Sequence, residues 1–128
     1  MPHTALVAVP ELMFRAKIKE AAAHVGRTIV VASKLDDVIA KALADPPDVI
    51  VVDLGDERID AFETIRRLRS HTELNGATIV GFYSHVRTDL LEGARDAGCD
   101  LVLPRSAFVA RLPQLLDPAA DTAGDGRG

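Results

Sequence analysis

One carboxylate stands where a buried strand is predicted to end. Residues 49–52 form a continuous run of apolar, β-branched side chains, which is typical of a strand buried on both faces of a parallel sheet. Asp53 follows this run directly. In open parallel α/β sheets, ligands and reacting groups collect at the carboxyl ends of the strands. Asp53 is therefore the first candidate for a reactive carboxylate.

Apolar runs and helical stripes alternate along the chain and predict the elements that position Asp53. Five apolar runs predict strands, at residues 4–9, 28–32, 49–52, 77–83 and 100–103. Apolar residues at helical spacing predict helices after each strand, at about residues 11–25, 35–43, 60–71, 89–97 and 106–116. Such short right-handed crossovers require a parallel sheet covered by helices on both faces. The predicted fold is a flavodoxin-like, doubly wound (βα)5 α/β domain with strand order 2-1-3-4-5.

This strand order gathers several polar residues around Asp53. The loops after strands one and three flank the point where the strand order reverses, so Asp53 is expected to face the stretch from Val9 through Pro10 to Glu11. Ser84 and Arg105 follow strands four and five, and they are expected to close the site from the other side.

Composition excludes several classes of protein. The formal net charge of −4 argues against binding to nucleic acid through phosphate neutralisation. The arginine cluster at Arg66, Arg67 and Arg69 is interpreted as a solvated helix face. No segment has the length and hydrophobicity of a signal peptide or a membrane span, so we expect a cytoplasmic protein without membrane contact. The single cysteine, Cys99, fits a reducing compartment and is expected to be a small buried residue.

The chain is predicted to form one domain followed by a tail. Residues 1–116 hold all the predicted strands and helices. Residues 117–128 consist of Asp, Pro, Ala, Thr, Gly and Arg, and this composition predicts a disordered C-terminal tail because it cannot bury enough apolar surface.

Taken together, these features resemble the receiver domain of two-component response regulators, the CheY-like family. The resemblance covers residues 4–116 and is strongest at Asp48-Val-Ile-Val-Val-Asp53, which is similar to the strand that carries the family's phosphoacceptor aspartate. Ser84 matches the hydroxyl position after strand four, and Gly98-Cys-Asp100 is similar to the family's Gly-Ala-Asp before strand five. The resemblance implies a signalling domain without enzyme activity, with protein partners such as a sensor kinase.

The sequence departs from the family pattern at the metal site. Receivers carry two adjacent acids at the end of strand one, which hold Mg²⁺ together with the phosphoacceptor. Val9 and Pro10 occupy these positions, and a shift of one residue leaves Glu11 as the only acid. The side chains of valine and proline offer no oxygen to Mg²⁺. We therefore expect no cofactor and no normal phosphorylation of Asp53, because transfer of the phosphoryl group depends on that ion.

Two further positions differ from the family. Arg105 stands where receivers have a lysine, and Val102 stands where they have an aromatic residue. Because a guanidinium is well suited to a carboxylate, we expect Arg105 to pair directly with Asp53 in place of the metal. If that pair is partly buried, Arg105→Ala is expected to cost a few kcal/mol.

The sequence thus predicts a stand-alone pseudo-receiver, a signalling module that acts by protein–protein interaction. A homodimer through the face of helix four, strand five and helix five is a further expectation by analogy, with apolar area from Leu101, Ala107, Val109 and Ala110. One alternative is an authentic phosphoacceptor of a phosphorelay, with Mg²⁺ held in part by Glu11. Another is a flavodoxin-like ligand-binding domain or enzyme, which the missing Gly-rich phosphate loop and the scarcity of aromatic residues disfavour.

Simpler roles stay open for several of these residues. Asp53 can cap the amides of the loop that follows it, and Ser84 can be a structural hydroxyl. His85 is expected to lie at the surface, since a lone histidine in a loop is usually solvated. The acids at Asp56, Glu57 and Asp60 are expected to form a solvated loop in preference to a cation site.

Overall fold

The structure, a computed structural model, describes residues 4–84 and 88–118. Its centre is a sheet of five parallel strands: β1 (Thr4–Ala8), β2 (Thr28–Val31), β3 (Val49–Asp53), β4 (Thr78–Tyr83) and β5 (Leu101–Pro104). The strands lie in the order β2-β1-β3-β4-β5, which puts β3 in the middle. The predicted fold class and strand order are therefore confirmed.

Five helices connect and cover the strands: α1 (Leu12–Val25), α2 (Leu35–Ala44), α3 (Ala61–Arg69), α4 (Thr88–Ala97) and α5 (Arg105–Leu116). Their ends follow from local chemistry. The Glu11 carboxylate caps α1 by accepting hydrogen bonds from the backbone amides of its first turn, and the Asp60 carboxylate caps α3 in the same way. Gly26 ends α1 with a left-handed φ of 77°, which a residue without a Cβ adopts at little cost.

The central strand is buried on both faces. Val49 and Val51 pack on the side of α1 and α5, whereas Ile50 and Val52 pack on the side of α2, α3 and α4. Successive side chains of a strand point to opposite faces, so a strand that lies between two helical layers is apolar at every position. This arrangement explains the uninterrupted apolar run before Asp53.

Three phenylalanines form a cluster on the α1 and α5 side of the sheet. The rings of Phe14 and Phe82 have centroids 4.9 Å apart, and those of Phe82 and Phe108 are stacked at 4.7 Å. Offset or tilted aromatic pairs of this kind add about 0.5–1.5 kcal/mol to the burial of their area. The cluster joins α1, β4 and α5 below the carboxyl end of the sheet.

A buried arginine closes the amino end of the sheet. The Arg27 side chain is fully buried; its Nε donates to the carbonyl of Leu116 at 2.7 Å and its Nη1 donates to Asp48 Oδ2 at 3.1 Å. One guanidinium therefore joins the start of β2, the start of β3 and the end of α5.

Arg69 differs from the sequence-based expectation. Arg66 and Arg67 lie at the surface, where both donate to Glu63, as expected for a solvated helix face. Arg69 instead turns inward, where its Nε donates to the carbonyl of Gly98 at 2.9 Å and its guanidinium pairs with the Asp100 carboxylate. The contact depends on the glycine, because a Cβ at position 98 would lie 2.6 Å from Arg69 Cγ. The prediction that Arg69 is solvated is therefore wrong.

Two further expectations from the sequence concern the C-terminal tail and membrane-spanning segments. Of the predicted tail, residues 119–128 lie outside the described residues. Within residues 4–84 and 88–118, no helix has both the length and the apolar character that crossing a bilayer requires.

Candidate functional site

The structure brings the four predicted polar residues into one place. Asp53 is the last residue of β3, Glu11 precedes α1, Ser84 follows β4 and Arg105 is the first residue of α5. All four line a single open pocket of about 660 Å³ at the carboxyl end of the sheet. This convergence follows from the strand order, because β1, β4 and β5 end at the same edge as the central β3.

Asp53 lies partly buried at this edge. Its Oδ1 accepts a hydrogen bond from the backbone amide of Gly55 at 3.0 Å, which is the capping role expected as the simpler alternative. Burial raises the pKa of the Asp53 carboxyl above its usual value of 3.8, and the nearby charge of Asp56 raises it further. The Gly55 amide and the positive charges of Arg105 and Arg58 oppose this shift without cancelling it. The ionised carboxylate is therefore less stable here than in water.

Asp56 and Arg58 form a closed local pair in the loop after β3. Arg58 Nε donates to Asp56 Oδ1 at 3.0 Å, and Arg58 Nη2 donates to Asp56 Oδ2 at 2.7 Å. These hydrogen bonds lower the pKa of the Asp56 carboxyl. Sequence reasoning did not identify Arg58, although a single arginine two residues after an acid in an acidic loop was a usable signal.

Arg105 does not lie where the sequence predicted. Its Nη2 is 3.9 Å from Glu11 Oε1, and its guanidinium carbon lies 4.0 Å from the centroid of the Phe14 ring. Among the described residues, no ion pair joins Arg105 to Asp53, so the predicted direct pair is wrong. The physical reason is that α5 begins over Phe14, whose electron-rich face holds the planar guanidinium on the α1 side of the pocket.

The end of β1 provides poor ligands for the Mg²⁺ that the family resemblance implies. Val9 and Pro10 are buried, and they are not among the residues that line the pocket. The carbonyl oxygen of Val9 accepts a hydrogen bond from Arg15 Nε at 3.1 Å. Because neither side chain carries an oxygen, these two positions cannot supply the ligands that a hard cation requires.

Glu11 is already used by the helix that follows it. Its Oε2 accepts hydrogen bonds from the backbone amides of Met13 and Phe14, and its Oε1 faces Arg105. Within residues 4–84 and 88–118, no three His, Cys, Asp or Glu side chains converge as a metal site would require. The residues present therefore do not fit a magnesium ion bound in the family's manner.

Several features of the pocket were not identified from the sequence. Apolar side chains also line the pocket, among them Leu54, Ile59, Phe62 and Leu90. Leu12 and Met13 are 71% and 82% exposed, and they directly follow Glu11 in the chain. Exposed large apolar side chains next to a pocket cannot be recognised from helical periodicity alone. His85, which the sequence placed at the surface, lies outside the described residues.

Comparisons with known proteins identify the fold. No protein-family model matches the chain, and no curated protein matches it. Solved structures do. The response regulator receiver domain protein of Methanospirillum hungatei aligns with a TM-score of 0.80 and 12% identity over 98% of this chain and 99% of its own. The chemotaxis protein CheY4 of Vibrio cholerae gives 0.78 and 16% over 91% and 100%. The fold is that of the response-regulator receiver domain.

A third solved structure contains a modified aspartate. A response regulator of Burkholderia pseudomallei aligns with a TM-score of 0.77 and 19% identity over 98% of this chain and 73% of its own. That protein was solved with a phosphorylated aspartic acid, a calcium ion and citrate. At such low identities the likeness of this chain to these receivers establishes the shared fold alone, and the chemistry has to be argued from the pocket itself.

Proposed function

We propose that this protein is a pseudo-receiver, a signalling module that binds protein partners and does not undergo normal Mg²⁺-dependent phosphorylation at Asp53. The observation that carries the proposal is the lack of available side-chain oxygens at the end of β1. Buried Val9 and Pro10 stand where the resemblance places two acids, and the neighbouring Glu11 caps α1. A carboxylate that lacks this set of oxygens has no means of holding the ion that assists phosphoryl transfer.

The arginines of the pocket do not replace the ion. Phosphoryl transfer to a carboxylate requires positive charge placed against the oxygens of the transferring group. Arg58 is engaged with both oxygens of Asp56, and Arg105 lies on the ring of Phe14. Both guanidinium groups therefore have other partners, and among the described residues neither forms an ion pair with Asp53, although their charges lower its pKa. This arrangement supports a site that has kept its aspartate and lost its catalytic environment.

An authentic phosphoacceptor is the alternative with a specific observation in its favour. Asp53 and Ser84 line the same pocket, as the resemblance requires of a phosphoacceptor and its hydroxyl partner. The two functions differ in one measurable reaction. Acetyl phosphate and beryllofluoride, each with Mg²⁺, are to be tested on the purified protein by intact mass spectrometry and by ¹H–¹⁵N NMR at Asp53, Leu54 and Gly55.

The expected result is no phosphoryl addition and no amide shifts in this segment. The Burkholderia pseudomallei response regulator, whose structure holds a phosphorylated aspartate, is the positive control for the reagents. A phosphoryl adduct that forms on the wild-type protein and is absent from Asp53→Asn would refute the pseudo-receiver and establish the alternative.

Partner binding through α4, β5 and α5 is part of the proposal. On this face Leu101, Ala107 and Val109 are half-buried and Ala110 is exposed, so apolar surface is available for contact. A sensor kinase, another signalling protein or a second copy of this chain is the expected kind of partner. The homodimer stays a prediction by fold-level analogy.

A further inference from the structure

The pocket at Asp53 is lined by more acidic than basic side chains. Five acids line it, and two arginines stand against them. Arg58 is bound to both oxygens of Asp56, and Arg105 faces Glu11 and Phe14. Asp53, on the partly buried floor, is left with the Gly55 amide as its hydrogen-bond donor among the described residues. Among the described residues no ion pair joins Asp53 to either arginine, and a partly buried carboxylate gains from a cation that pairs with it directly.

The same pocket also has apolar lining. Leu54, Ile59, Phe62 and Leu90 line it together with Asp53, and the pocket of about 660 Å³ has room for a long side chain. A ligand that suits this lining has an apolar stem and a positively charged end. Among protein side chains, arginine combines three methylene groups with a planar guanidinium that matches a carboxylate.

We infer that this pocket receives the arginine side chain of a protein partner, with the guanidinium paired to Asp53 and the methylene stem packed on the apolar lining residues. The inference rests on the proposed function, since it takes Asp53 to carry neither phosphate nor metal. It gives the retained aspartate a role in recognition.

Other occupants fit the lining less well. An anion would be repelled by Asp53 and by the exposed Glu57 at the rim. A divalent metal ion needs several converging oxygen ligands, and within residues 4–84 and 88–118 no group of three acidic, histidine or cysteine side chains provides them. A purely apolar side chain would leave the Asp53 carboxylate buried against hydrocarbon, which costs free energy.

Exposed apolar side chains next in sequence to the pocket-lining residues offer contact area for the rest of the partner. Leu12 and Met13 are the exposed large apolar residues of the described chain, and they sit between Glu11 and Phe14, which both line the pocket. An interface typically places an anchoring side chain in a pocket and surrounds it with weaker contacts that exclude water. These two side chains are well placed to provide such contacts.

The test uses small blocked amino acids as probes for the anchoring side chain. The ¹⁵N-labelled full chain is titrated with N-acetyl-arginine amide, and ¹H–¹⁵N NMR follows the amides of Asp53, Gly55 and Leu90. We expect saturable shifts at millimolar probe concentrations. N-acetyl-citrulline amide has nearly the same shape without the charge. Its affinity is expected to be lower than that of the arginine probe by about fivefold or more.

Two variants locate the interaction. Asp53→Asn is expected to weaken the arginine probe by about fivefold or more, since it removes the paired charge and keeps the shape. Asp36→Asn, which removes an acid that is 97% exposed on α2, is expected to leave the affinity unchanged. Equal binding of citrulline, unchanged binding by Asp53→Asn, or no shifts with the arginine probe would each overturn the inference. Matching shifts from MgCl₂ alone would overturn it as well, because they would reveal a metal site.

The outcome of this titration can be distinguished from the outcome of the phosphorylation test of the proposed function. The titration contains neither a phosphodonor nor a metal ion, so it reports only on recognition of a cation by Asp53. Phosphorylation of Asp53 by acetyl phosphate would refute the pseudo-receiver whatever the probe does. If the arginine probe causes no amide shifts and acetyl phosphate does not phosphorylate Asp53, the arginine site is refuted and the pseudo-receiver proposal is not.

Discussion

The two ends of the sheet treat charge in opposite ways. At the amino end, Arg27 is buried between the Asp48 carboxylate and the carbonyl of Leu116, and Arg69 joins Gly98 to Asp100. At the carboxyl end, Asp53 is partly buried and its pKa is raised by that burial. Charges that are buried with their partners hold elements together, whereas an uncompensated charge destabilises the fold unless a ligand completes it.

The two ends differ in how far apart in sequence each arginine and its partner lie. Arg27 and Leu116 are 89 residues apart in sequence, and Arg69 and Asp100 are 31 apart, so each arginine fastens distant elements to one another. Arg58, at the other end, pairs with Asp56 only two residues away. A local pair joins no distant elements, and the acids that line the pocket still outnumber its arginines. The long-range pairs of the amino end thus join distant elements, whereas the pairs at the carboxyl end are local.

The largest expected effect is at the amino end. Arg27→Met is expected to lower the free energy of unfolding by about 2–3 kcal/mol, because it leaves the Asp48 carboxylate and the carbonyl of Leu116 without the guanidinium. The value lies below that for a fully buried pair since the Asp48 side chain is 48% exposed. Urea unfolding followed by circular dichroism measures the change. Arg66→Met, which removes a surface arginine paired with Glu63, is the matched control and is expected to cost less than about 0.5 kcal/mol. Equal losses in the two variants would contradict the contrast between buried and surface arginines.

A smaller effect of opposite sign is expected at Asp53. Asp53→Asn is expected to raise the free energy of unfolding slightly at pH 7, because it removes a charge whose ionised form burial penalises. Since the folded-state pKa is raised, the wild type loses stability as the pH rises through that pKa. The gain of the variant should therefore shrink as the pH falls from 7 toward the usual value of 3.8. Thermal unfolding over this range measures it.

Asp56 provides the control for the sign of the stability change that is expected at Asp53. Hydrogen bonds from Arg58 lower the pKa of Asp56, so its ionised form stabilises the fold above the usual value of 3.8. Asp56→Asn is therefore expected to lower the melting temperature at pH 7, opposite to Asp53→Asn. If both variants shift the melting temperature in the same direction, the two carboxylates do not differ in the way their pKa shifts imply.

The smallest effect is expected at Arg105. Its side chain is 45% exposed and contacts the face of Phe14 and, more distantly, Glu11. Arg105→Ala is expected to cost about 0.5–1 kcal/mol in urea unfolding, which is typical of an exposed cation–π contact. This value replaces the few kcal/mol that a buried pair with Asp53 would have implied. A loss above about 2 kcal/mol would show that Arg105 is more deeply engaged than its contacts indicate.

The fold could be predicted because its signal is local and repeated. Each strand of the sheet is an apolar run that the two helical layers require, and each helix shows its buried stripe at the expected spacing. The convergence of Asp53, Glu11, Ser84 and Arg105 followed from strand order alone, since backbone topology fixes where the strand ends lie. The sequence also showed that Val9 and Pro10 carry no side-chain oxygen, because residue type alone decides this.

Side-chain pairing could not be predicted in this way. The sequence gives the position of Arg105 on the backbone, but its long side chain reaches several partners, and the ring of Phe14 competes with Asp53 for the guanidinium. The same is true of Arg69, whose inward course depends on the missing Cβ of Gly98, 29 residues further along the chain. The strand order of the sheet and the absence of side-chain oxygens for Mg²⁺ at Val9 and Pro10 were therefore determined by the sequence itself. Only the tertiary structure decided which charges are neutralised, because contacts between distant side chains depend on distances of a few ångströms that no periodic pattern encodes.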